Sequence, residues 1–165
     1  MNLKEKISND LKKSLKEKNN SEILTLRMFQ AAILNKEKEK RAKLAKEKEG
    51  LDEKDLVEKS QLTDDEIIEV AFSEAKKRNE SISEFEKGKR PDLVEKERAE
   101  LEVLKKYLPE QLSEEEIKKI AKETIDKVGA SSSKDIGRVM AELMPKMKGK
   151  AEGNLVSRVV KELLS

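Results

Sequence analysis

A chain of 165 residues with 37 lysines and arginines, 35 aspartates and glutamates and a net charge of +2 has room for one domain or two small helical ones. It holds no Cys, no His and no Trp, which excludes a disulfide framework, a Cys or Cys/His zinc site, and nucleophilic catalysis by a thiol or a Ser–His pair. Neither GxGxxG nor GxxxxGK[ST] occurs, so the glycine loops that cradle nucleotide phosphates are excluded as well.

Charged residues make up 44% of the chain and apolar ones 35%, a balance that borders on disorder. The apolar residues nevertheless recur at helical spacing almost throughout, and no strand pattern is present, so the expected fold class is all-α. Leu3, Ile7, Leu11 and Leu15 stand four apart and predict a first helix with one inward stripe. After Asn19-Asn20, Ser21 is placed to cap a second helix. Its first half, residues 22–34, is apolar nearly all round and reads as the most buried helix of the protein. Its second half, NKEKEKRAKLAKEKEG, reads as a solvated helix laced with Glu–Lys pairs that projects beyond the core and frays before Gly50. The stretch GLDEKDLVEKSQ reads as a flexible connection.

Thr63-Asp64-Asp65-Glu66 is a capping box that opens a third long helix, with Ile67, Ile68, Ala71, Ala75, Ile82 and Phe85 inward and Gly88 at its end. Pro91 starts the next helix, through Leu93, Leu101, Leu104 and Leu108, and the two form a hairpin on the buried second helix. Pro109 then breaks the helix and Ser113-Glu114-Glu115-Glu116 is a second capping box. The expected organisation is an N-terminal helical domain of about four helices, residues 1–108, and a C-terminal three-helix domain, residues 113–165. Three short helices are predicted in the latter, at about 114–127, 134–147 and 154–164, too short to stand alone and therefore packed on one another.

The run LMPKMKGKAEGNLVSRVV, residues 143–160, interrupts this pattern. A turn accounts for Pro145, Gly149 and Gly153 but not for Lys146, Lys148 and Lys150. A helix ending at Met147 and another starting near Asn154 would set these lysines beside unpaired amides at the positive end of a helix dipole, a combination that holds phosphate. Arg158 lies one turn into the last helix, and Gly149 and Gly153 allow a sugar-phosphate backbone to come close. Lys134 and Arg138, one turn apart, form a secondary candidate pair. The alternative reading is a dipole-favoured set of lysines at a helix end with an ordinary glycine cap. Carboxylates around Glu80, Glu84, Glu95 and Glu97 lack any feature that would desolvate them for acid–base or cation chemistry. The four aromatics, Phe29, Phe72, Phe85 and Tyr107, offer no stacking platform for single-stranded nucleic acid.

The segments ILTLRMFQAAILNKEKEK, LTDDEIIEVAFSEAKKRNESISEFEKGKRPDLVEKERAELEVLKKYLPEQLSEEEI and GASSSKDIGRVMAELMPKMKGKAEGNLVSRVVKELL together resemble the YqeY proteins over roughly residues 20–165. These are small bacterial relatives of the C-terminal region of the GatB subunit of the tRNA-dependent amidotransferase. YLPEQLSEEE and the glycine-lysine tail carry most of the likeness. The resemblance implies an N-terminal helical domain and a C-terminal three-helix domain whose tail faces the elbow of tRNA. It implies no active site, no metal and no cofactor. A carbon–nitrogen ligase activity would follow from family homology alone, and it belongs to a catalytic region this chain does not match.

Three functions therefore stand side by side. The first is a non-catalytic accessory protein that binds tRNA or another structured RNA through Lys134, Arg138, Lys146, Lys148, Gly149, Lys150, Gly153, Asn154 and Arg158. The second is an adaptor that docks on a tRNA-handling enzyme through an exposed helical face. The third is an amidotransferase component. No membrane partner and no sequence-specific DNA binding are expected. The highly charged N-terminus and the lack of a spanning apolar run give cytoplasmic as the expected localisation.

Overall fold

The computed structural model describes residues 1–47 and 50–165. The described residues form α-helices and no strands, the all-α class expected: α1 (Leu3–Glu17), α2 (Asn20–Glu47), α3 (Glu53–Lys59), α4 (Asp64–Lys87), α5 (Pro91–Lys105), α6 (Glu114–Val128), α7 (Ile136–Met147) and α8 (Gly153–Leu163). A single 3-10 turn, Ser133–Asp135, precedes α7. The chain divides into two compact units, Met1–Tyr107 and Leu108–Ser165.

Local capping sets most helix starts. The Asn2 side chain accepts from the Glu5 amide at 2.8 Å while the Glu5 carboxylate accepts from Asn2, so α1 opens on a capping box. Thr63 with Glu66 and Ser113 with Glu116 form the two boxes read from the sequence. At α2 the cap is Asn19, whose Oδ1 accepts from the Glu22 amide, and not Ser21, which lies inside the first turn and gives its carbonyl to Thr25.

In the first unit the α4–α5 hairpin and α1 pack on α2. Its core holds Ile7, Leu26, Phe29, Ile33, Ile67, Ala71, Ala75, Leu101 and Leu104. Two expectations for α2 are corrected here. Its apolar half is buried on one side only, through Thr25, Leu26, Phe29 and Ile33, while Leu24, Met28 and Leu34 are exposed. Its charged half does not project freely. The Glu37 carboxylate is buried and accepts from Lys4 (2.6 Å) and from the Leu62 amide (3.1 Å). Lys40 meets Glu66 and the Gln61 carbonyl, and the Arg41 guanidinium donates to Ser60. The stretch expected to be a flexible connection contains α3, capped by Asp52, and ends pinned to α2 by those contacts. The fraying expected before Gly50 concerns residues 48–49, outside the described residues.

Leu15 is likewise exposed and Ser14, which bonds the Asp10 carbonyl, is buried in its place. Tyr107 closes this unit. Its ring is 3% exposed and packs at 5.6 Å from the Phe29 ring, with Lys6 over its face, and its hydroxyl donates to Asp10 at 2.6 Å. Burial, reinforced by the Asp10 carboxylate, pushes the phenol well above its ordinary range. Tyr107 therefore keeps its proton in the folded state where an unfolded chain would already lose it, near pH 10.

Two tests follow from this geometry. Stability contributed by the neutral phenol is complete below about pH 10 and falls as pH rises, by at most about 1.4 kcal/mol per unit from this group. The one tyrosine in the chain gives an unambiguous reading: phenolate absorbance should appear together with loss of helicity, not before it. Tyr107→Phe should abolish that absorbance and lower stability at neutral pH by about 1–3 kcal/mol, since Asp10 loses its donor.

The end of α4 gives the second. The Arg90 amide bonds the Phe85 carbonyl and the Lys89 amide bonds that of Glu86, so Lys89, at φ 54°, occupies the left-handed position that the sequence assigns to Gly88. Gly88 itself has φ −76° and ordinary room for a methyl group. Lys89→Gly should stabilise by about 1 kcal/mol and Gly88→Ala should cost nothing measurable, read as thermal midpoints.

Candidate nucleic-acid interface

The lysine-rich run lies in the second unit, where α6, α7 and α8 pack around Ile117, Ala121, Val139, Leu143, Met147, Val156, Val159 and Val160. Pro145 does not make the turn. It sits in the last turn of α7, where it leaves the Ala141 carbonyl without an amide partner from its own helix. The chain reverses at Met147-Lys148-Gly149-Lys150. Lys148 has φ −56° and ψ 121°, Gly149 has φ 72°, and the Lys150 amide bonds the Met147 carbonyl at 2.9 Å. These are the angles of a type II turn, which demands a positive φ at its third residue and hence glycine.

The turn is tied from outside. The Gln111 side-chain amide donates to the Gly149 carbonyl at 2.8 Å and the Leu112 backbone amide donates to the Lys150 carbonyl at 2.9 Å. The YLPEQL stretch thus grips the backbone of the KGK stretch. With both carbonyls turned inward and Gly149 buried, the side chains of Lys146, Lys148 and Lys150 are exposed. Gln111 and Leu112 are absent from the residues read as functional, because nothing local signals a contact 38 residues away.

Gly153 is the first residue of α8. A methyl group there would make only ordinary contact with Met144, at 3.6 Å, so the fold does not require glycine at this point. Glu152 holds the N-cap position but makes no side-chain cap bond, so the first amides of α8, beside the exposed Asn154, are not closed by a side chain. The Glu152 carboxylate, at the N-cap position, is a local charge opposed to an anion at that end.

The nine predicted residues separate into groups. Lys146, Lys148, Gly149, Lys150, Gly153 and Asn154 gather where α7 ends and α8 begins. Lys134, exposed in the 3-10 turn, and Arg138 stand at the opposite end of α7, a helix of about 18 Å by its 12 residues. Arg138 is occupied by Asp135 (3.3 Å) and the Gly129 carbonyl; Asp135 is held below the ordinary carboxylate range by the Ser131 and Ser132 amides, with Arg138 adding to them. Arg158 is committed to Glu114 at 3.0 Å and approaches Glu162 at 3.9 Å. Glu114 is held below its ordinary range first by Lys118 and then by Arg158. At the candidate turn itself, Lys146 adds to the field that Lys127 places on Glu142.

The carboxylates named from the sequence do not assemble. Glu97 turns toward Arg78 at 3.4 Å, where Glu100 makes the close bond at 2.8 Å, while Glu84 pairs with Lys87 and Glu80 and Glu95 are exposed.

Comparison with known proteins places this geometry in context. The sequence model of the family described as Yqey-like protein matches residues 48–164. The chain is 30% identical over 158 residues to a protein of Pyrenophora tritici-repentis named altered inheritance of mitochondria protein 41, mitochondrial, covering 94% of this chain and 77% of that one. It is 39% identical over 51 residues to an uncharacterized protein of Schizosaccharomyces pombe, covering 31% of this chain and 42% of that protein. The first relative overturns the cytoplasmic expectation, because a protein similar over nearly the whole chain carries a mitochondrial name. Among the described residues no helix is long and apolar enough to cross a membrane, which by itself says nothing of the compartment.

The turn geometry makes a stability prediction. Gly149→Ala places a side chain at φ 72° and should cost about 1 kcal/mol or more, whereas Gly153→Ala should leave the thermal midpoint within about 0.5 kcal/mol of the parent. Equal losses in the two variants would contradict the turn assignment.

Proposed function

Because the chain belongs to the YqeY family, with the family match covering most of its length, we propose that it is a non-catalytic RNA-binding accessory protein. It contacts the phosphate backbone of tRNA or a similarly structured RNA through the turn between α7 and α8. The observation that carries this reading is the tied type II turn, which spends its backbone carbonyls on Gln111 and Leu112 and leaves Lys146, Lys148 and Lys150 facing solvent beside the uncapped start of α8. Lysine charge and unclosed helix amides are the two elements of a phosphate site. The lack of an aromatic platform favours a structured RNA recognised by shape and backbone over a stacked single strand. The resemblance of the tail to the tRNA-facing part of the GatB subunit, read from the sequence alone, points the same way.

Within the proposed surface the roles are unequal. Lys146, Lys148 and Lys150 supply charge, Gly153 and Asn154 supply approach and amides, and Gly149 supplies the turn. Arg158, already neutralised by Glu114, contributes less to phosphate binding than its place in the sequence suggests. Lys134 and Arg138 form a separate contact point at the far end of α7, engaged only by an RNA large enough to span the helix.

Replacing Lys146, Lys148 and Lys150 together by Gln should weaken tRNA binding with little change in helicity or melting temperature, because exposed charges contribute little to stability. Loss of about three phosphate contacts should flatten log affinity against log salt by roughly two to three units. A control with the exposed lysines Lys12, Lys16 and Lys54 replaced, all in the first unit, should lose far less. Glu152→Gln should strengthen binding by removing the opposed charge. Equal loss in the loop and control variants would reduce the effect to general electrostatics and defeat the proposal.

A further inference from the structure

The outer face of α2 is a feature that the RNA reading leaves unused. Leu24, Met28 and Leu34 are 46%, 44% and 47% exposed, and Ala31 between them is exposed too. At 100° per residue, Leu24, Met28 and Ala31 fall within one narrow stripe opposite the buried Leu26, Phe29 and Ile33, with Leu34 at its edge. Three large aliphatic side chains on one helix face are not the scattered single residues that any surface shows.

The charge that α2 itself contributes to this face is one-sided; on the Met28 flank the sulfur meets Arg78 of α4 at 4.0 Å, whose own charge is balanced by Glu100, Glu97 and Glu74. Between Glu22 and Glu37 the helix has no acidic residue. Both bounding glutamates point elsewhere: Glu22 is taken by Lys106 at 2.6 Å, and Glu37 is buried against Lys4 and the Leu62 amide. Arg27 and Lys38, exposed on the stripe side, make no ion pair or hydrogen bond among the described residues. The neighbouring groove between α2 and α4, about 670 Å³, is different. Its four lysines, 36, 40, 43 and 77, face four glutamates, 39, 66, 69 and 74, with Lys36, Lys40 and Lys77 in ion pairs, so it carries no comparable bias.

We propose that the outer face of α2, from Leu24 to Lys38, docks an acidic amphipathic helix of a partner protein, with Leu24, Met28 and Ala31 as the apolar seam, Arg27 and Lys38 as the charge-matching cations along one side of it, and Leu34 beyond them on the flank toward α1. From Leu24 to Lys38 the face is about 21 Å long, the span of a four-turn helix. A helix laid on it with leucines at helical spacing and glutamates along its edges satisfies both the apolar seam and the two unneutralised cations. A second copy of this chain satisfies only the seam, because it would bring two more cations and no acid to the same interface. An RNA needs the cations and has no use for an aliphatic stripe. A lipid surface calls for a denser set of lysines and arginines than the two present here. The proposal is independent of the RNA reading, since it rests on different residues in the other unit.

The test uses the full chain and two synthetic stapled helices of about four turns, both with leucines at i, i+3, i+4 and i+7, one flanked by glutamates and one by lysines. Anisotropy titration should show binding of the acidic helix in preference to the basic one. Leu24→Gln with Met28→Gln should weaken it by about tenfold, and Arg27→Glu with Lys38→Glu should reverse the preference toward the basic helix. Circular dichroism melts of both double variants should match the parent; should one fail to fold, the other still decides. Equal affinity for both helices, no binding of either, or no reversal in the charge variant would overturn the proposal. So would a dimer in sedimentation that disappears in the Leu24/Met28 variant, or anionic phosphatidylglycerol vesicles bound through those residues while the acidic helix is not.

Discussion

Glu37 holds the first unit together in a way that its apolar side chains alone do not. Its buried carboxylate, 5% exposed, takes a hydrogen bond from the Leu62 amide and an ion pair from Lys4, so one side chain of α2 fastens both α1 and the segment that leads into α4. The Lys4 end is half in water and therefore screened, which leaves the amide contact as the buried part of the arrangement. An ionised carboxylate removed from water is costly unless its partners satisfy it. That cost acts as a register device: α2 can accept α4 only where the Leu62 amide meets Glu37. Arg78 does the same on the other side of the unit, bonded to Glu100 at 2.8 Å with Glu97 and Glu74 nearby. A chain that is 44% charged and lean in apolar residues thus uses a few of its charges as interior fasteners.

The second unit solves a different problem with neutral bonds. Its small core of aliphatic residues covers three helices, and the connection between α7 and α8 is then fixed by two donors from the segment before α6. Fastening a loop through its carbonyls has a consequence for its side chains. With the Gly149 and Lys150 carbonyls bonded, the Lys148 and Lys150 side chains of the turn are exposed next to that of Lys146 in the last turn of α7. Charge alone does not distinguish them from the other lysines of the chain. What does is the fixed backbone beneath them, since a preorganised turn loses less entropy on binding than a mobile one.

What the sequence discloses here is whatever is encoded within a few residues. The boxes at Thr63 and Ser113 were legible because donor and acceptor lie three positions apart. The boundaries of α4, α6 and α8 were legible to within about a residue for the same kind of reason. The errors share the opposite cause. The apolar half of α2 looked buried all round because periodicity shows which residues are apolar, not how many neighbours arrive to cover them; Leu24, Met28 and Leu34 are left over. The charged half looked solvated because Glu37, Lys40 and Arg41 find partners 19 to 33 residues away. Arg158 looked free for phosphate because Glu114 is 44 residues distant. That Gln111 and Leu112 belong with the glycine-lysine stretch was legible from neither spacing nor resemblance, because the bonds that join them span 38 residues.

The extent of the family match bears differently on the two proposed surfaces. The matched stretch begins at residue 48 and so includes the lysine turn, while the outer face of α2 lies before it. Yet α4 and α5, inside that stretch, bury Ile67, Ala71, Leu101 and Leu104 in a core completed by Leu26, Phe29 and Ile33 of α2. A helical hairpin cannot cover its own apolar face in water, so some helix must occupy the place of α2 wherever that hairpin folds. The inner side of α2 is then constrained by packing and the outer side is not. Packing therefore does not account for the exposed Leu24, Met28 and Leu34 on that outer side, or for Arg27 and Lys38, unpaired there among the described residues, and it is on these that the proposed docking of an acidic helix rests.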